Sequence, residues 1–147
     1  HYCSRRQRQM CIRDRIKVAT GEMCQNRIMF KQFIQEDALD IVQIDSCRIG
    51  GLNEVLGVLL LAHKYGKPVW PHAGGVGLCE YVQHIAMIDY LLISCEKDSK
   101  RIEYVDHLHE HFINPCKIKG GNYLAPLEPG FSIEMKSETL TNYLHEI

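Results

Sequence analysis

From Ile16 onward, short apolar runs alternate with longer amphipathic stretches. The runs are nearly all apolar, which is typical of strands that are buried on both faces of a sheet. Each of the first three runs is followed directly by a glycine or a titratable residue, which marks its end. The pattern predicts four strands, at 16–20, 39–44, 68–71 and 90–95.

The stretches between these runs carry apolar residues at the spacing of an α-helix. One helix is predicted from 26 to about 36, and a second follows a Gly-Gly break with Asn53 as its N-cap. Gly66 and Pro68 end the second helix. A glycine-rich turn at 74–77 leads into a third helix. The inner face of this third helix comprises Leu78, Val82, Ile85 and Ala86.

Strands that alternate with helices form parallel sheets whose strands are joined by right-handed crossovers. The predicted fold class is therefore α/β, and the alternation fits either a doubly wound sheet or part of a barrel. At 147 residues, the chain has room for one domain. A complete barrel of this type takes about 250 residues, so a barrel interpretation implies a partial barrel.

The composition is typical of a soluble globular protein, with 46% hydrophobic residues, 24% charged residues and a formal net charge of −1. The sequence has neither an apolar run long enough for a membrane span nor an excess of positive charge that would favour nucleic acid. The seven cysteines are scattered and never spaced Cys-x-x-Cys, which argues against a zinc ribbon or a disulfide scaffold. We expect reduced thiols and an intracellular protein, with cytosol and mitochondrion left open.

The segment 1–15 differs from the rest of the chain in charge and pattern. It holds five arginines against one aspartate, whereas the remaining residues hold 12 basic and 17 acidic side chains. Three interpretations are open: a solvated basic arm, the end of a transit peptide, or a foreign stretch from a mis-joined transcript or fusion. We favour the foreign stretch, because the segment runs without a linker into what the pattern predicts as an interior strand.

Four polar residues follow the predicted strands. Glu22, Asp45 and His72 come just after the first three strands at intervals of 23 and 27 residues, and Glu103 lies 31 residues further on. Because parallel strands point the same way, their ends converge on one face, where proton chemistry near a metal would need such side chains. Taken singly, each could be a loop acid, a turn cap, a structural histidine or a surface charge. Their repetition at strand ends favours the functional interpretation.

Four sequence blocks resemble a known family. They are ATGE (19–22), QIDSCR (43–48), PHAGGVGL (71–78) and EYVDHLHEHF (103–112). Together they resemble the C-terminal half of the enolase superfamily, the mandelate racemase/muconate lactonizing enzyme barrel, and within it the L-fuconate dehydratase branch. The resemblance runs from about 16 to about 136.

The resemblance implies the C-terminal half of a (β/α)7β TIM-like barrel at 16–115, with 116–147 extending toward a capping domain. It implies that Glu22 is the third carboxylate ligand of Mg2+ and that His72 and Asp45 form the catalytic dyad. Glu103 matches an acid that contacts the substrate, and the backbone of Ala73 and Gly74 lies where the family contacts its sugar acid.

The implied activity is that of a hydro-lyase. Histidine suits the removal of a proton next to a carboxylate because the pKa of a free imidazole lies near neutrality, so His72 would be the base and Asp45 would accept the imidazole N–H. The protonated imidazole could then assist departure of the neighbouring hydroxyl, and a protonated Glu103 could donate a hydrogen bond to the enediolate. The product would be a 2-keto-3-deoxy sugar acid, although the sequence does not identify which sugar acid is used.

Other ligands of the family's metal lie before the matched region in relatives. A single carboxylate is too few to hold Mg2+ tightly, so we expect this chain alone to be inactive as a dehydratase. The alternative is a silent fragment that acts through protein contacts. The first strand would lack a partner on one side, which favours self-association. His107, His109 and His111 alternate, but the resemblance assigns them no metal, so we interpret them as structural.

Overall fold

The structure is a computed structural model, and it describes residues 16–145. The segment 1–15, interpreted above as foreign, lies outside the described residues. The strands are β1 at Ala19–Thr20, β2 at Ile41–Val42, β3 at Ile118–Lys119 and β4 at Asn122–Tyr123. The helices are α1 at Arg27–Gln35, α2 at Leu52–Lys64, α3 at Leu78–Ile88 and α4 at Ser137–Tyr143.

The first strands form a parallel layer in the predicted order. β1 pairs with β2, and the third apolar run continues the layer through two isolated parallel bridges, Val42–Val69 and Asp45–His72. In this third run the N–H groups of Trp70 and His72 donate to the carbonyls of Val42 and Ile44. The α/β class is confirmed, and the parallel layer sets strand ends side by side.

The helices begin and end at residues with identifiable roles. Asn26 caps α1, because its Oδ1 accepts hydrogen bonds from two backbone N–H groups of the first turn. The prediction that Asn53 caps the second helix is wrong. α2 begins at Leu52 instead, and Gly51 is its N-cap with φ of 90°, a conformation that favours glycine. Gly66 follows the end of α2 with φ of 63°, as expected for a helix terminator.

The predicted fourth strand at 90–95 is also wrong. This run continues α3 as a π-helical turn over Asp89–Ser94, and Leu92 within it is 76% exposed. A short apolar run has the same composition in a strand and in a helix, so its hydrophobicity alone cannot distinguish the two. The segment that lies beside the third run is instead the extended stretch around Glu103. The N–H of Glu103 donates to the carbonyl of Pro71.

The main core is made by apolar side chains from the parallel layer and from the helices that cover it. Phe30 of α1 is fully buried in this core. Gly21 approaches it closely: its φ is 127°, and a Cβ at this position would lie 2.5 Å from the Phe30 ring. The end of β1 is therefore held against the core. Other buried members are Cys24, Ile34, Leu39, Val42, Ile44, Ile49, Val55, Val58, Leu59, Ala62, Val69 and Ile85.

The chain after the third helix is less buried. β3 and β4 form an antiparallel hairpin whose turn, Gly120–Gly121, has positive φ at both glycines, as the turn signal indicates. Phe112 and Ser132 are the buried side chains of the described tail from 102 onward. No helix within residues 16–145 has the length and apolar character that a membrane span requires.

Candidate active site

The parallel layer places three of the four predicted site residues at neighbouring strand ends. Glu22 lies in the turn after β1, Asp45 follows β2, and His72 follows the third run. Asp45 and His72 face each other across a parallel bridge. Glu103 comes from the extended segment beside the third run. The spacing of one strand and one helix therefore brings side chains that are far apart in sequence to one edge of the layer.

The imidazole of His72 is surrounded by the three carboxylates. Glu103 Oε2 lies 2.6 Å from Nδ1, Glu22 Oε2 lies 3.5 Å from Nδ1, and Asp45 Oδ2 lies 3.7 Å from Nε2. The His72 side chain is only 14% exposed. Its Nδ1 is buried and makes no well-aligned hydrogen bond to a described residue, even though a carboxylate is close. The structure thus brings all four predicted side chains together, with His72 at their centre.

Asp45 is the buried member of this group. Its Oδ1 accepts a hydrogen bond of 2.7 Å from the N–H of Cys47, and its Oδ2 forms an ion pair with Arg48. The expected hydrogen bond from the imidazole to Asp45 is not formed, because 3.7 Å exceeds hydrogen-bond distance. Arg48 competes for the same carboxylate oxygen. Asp45 therefore acts on His72 here as a nearby buried charge that Arg48 holds in place.

Cys47 lies between these two charged residues in sequence, and its thiol is affected by the same environment. Partial burial, together with the negative charge of Asp45, raises the pKa of the Cys47 thiol above its ordinary value, although Arg48 opposes this effect. A thiol with a raised pKa is a poor nucleophile at neutral pH. The structure therefore gives no chemical role to this exposed cysteine beside the site.

Glu103 is held by one hydrogen bond to its side chain and one to its own backbone carbonyl. Its Oε2 accepts a hydrogen bond of 2.8 Å from the N–H of Ala73, and the hydroxyl of Tyr123 donates to the Glu103 carbonyl over 2.6 Å. The side chain is 39% exposed, so it lies at the mouth of the site. Ala73 was expected to offer its backbone to the substrate, but its N–H is taken by Glu103 and the residue is fully buried.

Gly74 lies directly against the imidazole. A Cβ at this position would be 2.6 Å from Cε1 and 2.9 Å from Nε2 of His72. Both distances are shorter than the nonbonded contacts that Cβ atoms make in proteins. The absence of a side chain at Gly74 is therefore what lets the ring occupy its place. The sequence singled out Gly74 as a substrate contact, and the structure gives it this additional steric role.

The oxygen atoms at the mouth suit a hard cation. Glu22 is 43% exposed and Glu103 is 39% exposed, and carboxylate oxygens are the ligands that Mg2+ prefers. Glu22 follows the first strand, and its exposed carboxylate faces His72 Nδ1 at 3.5 Å. The donor chemistry of this edge therefore fits Mg2+.

Two residues that position the site were missed by sequence reasoning. Arg48 comes three residues after Asp45, so a basic residue next to a strand-end acid was an available signal. Tyr123 lies 20 residues after Glu103, in the β3–β4 hairpin, and no local pattern links the two residues. The second contact could be found only from the folded chain.

The chain matches known proteins over most of its described length. Residues 5–139 match the family model Enolase C-terminal domain-like. The chain is 58% identical over 137 residues to an L-galactonate dehydratase of Hypocrea jecorina, with 90% of this chain and 30% of that protein covered. It is 53% identical over 128 residues to Mitochondrial enolase superfamily member 1 of Homo sapiens, with 87% and 29% covered.

Solved structures agree with these matches. The crystal structure of human Mitochondrial enolase superfamily member 1 superposes with a TM-score of 0.86 at 52% identity, covering 89% of this chain and 30% of that chain. An L-talarate/galactarate dehydratase from Salmonella typhimurium liganded with Mg and L-lyxarohydroxamate superposes with a TM-score of 0.71 at 23% identity, covering 88% and 30%, which shows the fold alone. The chain thus spans about 30% of the length of these proteins, consistent with part of a barrel.

Proposed function

The chain belongs to the enolase C-terminal domain-like family, and we propose that it carries the proton-transfer residues of a Mg2+-dependent acid-sugar dehydratase. The observation that carries the proposal is the grouping of Glu22, Asp45 and Glu103 within 3.7 Å of the His72 ring. A general base among carboxylates at the mouth of an α/β layer suits removal of a proton next to a substrate carboxylate.

His72 is proposed as the base, acting through Nδ1. This nitrogen lies 2.6 Å from Glu103 and 3.5 Å from Glu22, the two carboxylates at the mouth, so a substrate held at the mouth approaches the ring from the side of Nδ1. Nε2 faces Asp45, whose buried negative charge stabilises the imidazolium that forms. The proton taken from the carbon next to the carboxylate can then pass to the leaving hydroxyl, so that water departs and the imidazole becomes neutral again.

Glu103 is proposed as the acid that contacts the substrate. Its carboxyl is half-exposed and fixed by the N–H of Ala73, so it is oriented before substrate arrives. In the protonated form it can donate a hydrogen bond to the enediolate as negative charge develops there. Preorganised donors of this kind lower the barrier because they need no rearrangement during the reaction.

Glu22 is proposed as the Mg2+ ligand contributed by the described residues. Bound Mg2+ would supply positive charge that offsets the negative charge developing on the substrate carboxylate. Mg2+ prefers octahedral oxygen coordination, and one carboxylate does not provide it. We therefore propose that the 147-residue chain alone does not turn over substrate, and that further carboxylates complete the site in the active protein.

L-Fuconate is proposed as the substrate. The Hypocrea jecorina relative is named for L-galactonate, and L-fuconate is the 6-deoxy form of the same acid. The two acids share the configuration at the carbons that react, so one arrangement of base and acid serves both. Discrimination between them depends on contacts with the last carbon.

A hybrid enzyme tests this proposal. Residues 16–136 of this chain would replace the matching segment of the Hypocrea jecorina L-galactonate dehydratase, and the hybrid would be assayed with Mg2+ on L-galactonate and L-fuconate. We expect a 2-keto-3-deoxy product from both acids and none from the 147-residue chain alone. A folded hybrid that binds Mg2+ and forms no product would contradict the dehydratase proposal, and turnover by the chain alone would contradict its inactivity.

A further inference from the structure

A second group of reactive side chains lies behind the candidate active site. Cys79 stands in the first turn of α3, His109 in a short 3-10 turn, and Cys116 just before β3. One donor atom from each of these residues lies within 4.8 Å of the other two, and Cys116 Sγ is 3.8 Å from His109 Nδ1. Three elements that are distant in sequence thus bring two sulfurs and an imidazole to one point.

The group is enclosed and carries a buried negative charge. Cys79 is 2% exposed, and Glu80 beside it is fully buried. Glu80 Oε1 lies 2.6 Å from His109 Nδ1, and it also accepts a hydrogen bond from the N–H of Cys116. Glu80 Oε2 is buried and has no hydrogen-bond partner among the described residues. A buried carboxylate oxygen without a partner is costly, and a cation next to it would offset that cost.

A backbone hydrogen bond favours negative charge on the sulfur of Cys79. The N–H of Val105 donates to Cys79 Sγ over 3.4 Å. Thiolates rather than thiols bind metal ions, so Cys79 is prepared for ligation.

We propose that Cys79, His109 and Cys116 form a Zn2+ site in which His109 ligates through Nδ1. The other ring nitrogen, Nε2, lies 2.9 Å from the Val105 carbonyl, which orients the imidazole. Tetrahedral zinc with bonds of about 2.0–2.3 Å holds its donors roughly 3.3–3.8 Å apart, which agrees with the sulfur–nitrogen distance here. A backbone carbonyl that accepts the other ring N–H of a ligating histidine is a common supporting contact. Zinc would take the place of the contact between Nδ1 and Glu80 Oε1, and the Glu80 carboxylate would remain beside it as a buried negative charge. Water completes the coordination, and the two sulfur donors select zinc over Mg2+.

The location of this site suggests what bound zinc would do. Cys79 Sγ lies 3.8 Å from the carbonyl of Ala73 and 3.7 Å from that of Val105. These residues flank His72 and Glu103 in the two segments that form the active site. Bound zinc would therefore link the described tail to α3 next to those segments and stabilise the position of Glu103.

The test uses the full chain, purified under reducing conditions, with Zn2+ and Co2+ as probes. We expect one zinc per chain that survives dialysis, a rise in the unfolding midpoint on adding zinc, and a thiolate-to-cobalt charge-transfer band. Cys79→Ser and Cys116→Ser should each remove the bound zinc. Glu80→Gln removes a buried negative charge beside the ion, so it should retain the site but weaken its affinity roughly 10–100-fold, as for loss of an outer-shell partner.

Two matched variants serve as controls. Cys95→Ser changes an exposed cysteine that is not a member of the group, and Glu22→Gln changes the candidate Mg2+ ligand, so both should keep one zinc with unaltered affinity. The cobalt band is read on the unmodified chain and needs no variant to fold. The proposal is overturned if the reduced chain retains no zinc, if zinc binding persists in Cys79→Ser and Cys116→Ser, or if bound cobalt shows no thiolate band.

Discussion

The described chain has two regions that are stabilised in different ways. Residues 16–89 contain the parallel layer, the first three helices and nearly all buried apolar side chains, whereas the tail from 102 to 145 buries Phe112 and Ser132. The tail is attached by partly buried side chains, among them Ile102 and Val105, that pack against a smaller buried cluster at the start of α3. It also makes separate polar contacts, such as His84 to Ser132 at 3.1 Å and Tyr123 to Glu103 at 2.6 Å. Residues 16–89, the apolar region, fix His72 and Asp45, and the tail supplies and orients Glu103.

The site therefore depends on two kinds of interaction, the burial of apolar side chains and single hydrogen bonds. Burial of apolar area stabilises the layer as a whole, so a strand end is positioned by many contacts at once. A single hydrogen bond contributes only about 0.5–1.5 kcal/mol, so Glu103 is positioned by few and weak contacts. We expect substitutions in the first region to affect stability and those in the second to affect catalysis.

The largest expected effect is on the apolar region. Phe30→Ala should lower the free energy of unfolding by about 3–5 kcal/mol, because it leaves a cavity in a core that is closed to water. Urea denaturation would measure this loss. The matched change Leu127→Ala, at a tail residue that is 93% exposed, should stay within about 0.5 kcal/mol. Similar losses at both positions would show that the contrast between the regions is wrong.

A smaller effect is expected where the apolar region meets the site. Gly74→Ala would place a methyl group against the imidazole and displace it, so activity of the hybrid should fall roughly 100-fold, as for misplacement of a reacting group by about 1 Å. Steady-state kinetics would measure the fall. Gly50→Ala is the control, since its Cβ would meet only the Glu54 side chain at 3.4 Å. An active Gly74→Ala hybrid would mean that the ring lies elsewhere.

The smallest effect is expected in the tail. Tyr123→Phe removes one hydrogen bond to the Glu103 carbonyl and should cost about 0.5–1.5 kcal/mol of stability. In the hybrid, kcat should fall severalfold while KM for the sugar acid changes little, since Tyr123 acts through Glu103. Tyr90→Phe, at a half-exposed tyrosine of the π-helical turn, should leave both constants unchanged. If the two variants have the same kcat and KM, Tyr123 does not position Glu103.

Sequence reasoning succeeded where periodicity carries the information. Glu22, Asp45 and His72 could be placed together because each comes just after an apolar run, and the runs recur at the length of one strand and one helix. It failed at 90–95, where an apolar run continues a helix. A short apolar segment takes its form from the neighbours that it packs against, and these are not visible in its own composition.

The side-chain geometry of the site was less predictable than its location. The sequence indicated a direct bond between Asp45 and His72, but Arg48 occupies the shared carboxylate oxygen. The group of Cys79, His109 and Cys116 has no local spacing signal, because its members come from three separate elements. Contacts between distant segments depend on tertiary packing, so a linear pattern does not reveal them.

The central claim is that His72, held among three carboxylates, removes the proton next to the substrate carboxylate. The most direct measurement is the rate at which L-galactonate loses that proton in deuterated water, followed by NMR, in the hybrid and in its His72→Asn variant. The claim requires a fall of about 10²–10⁴-fold in the variant, the range for loss of a general base. Equal rates of proton loss in two equally folded proteins would contradict it.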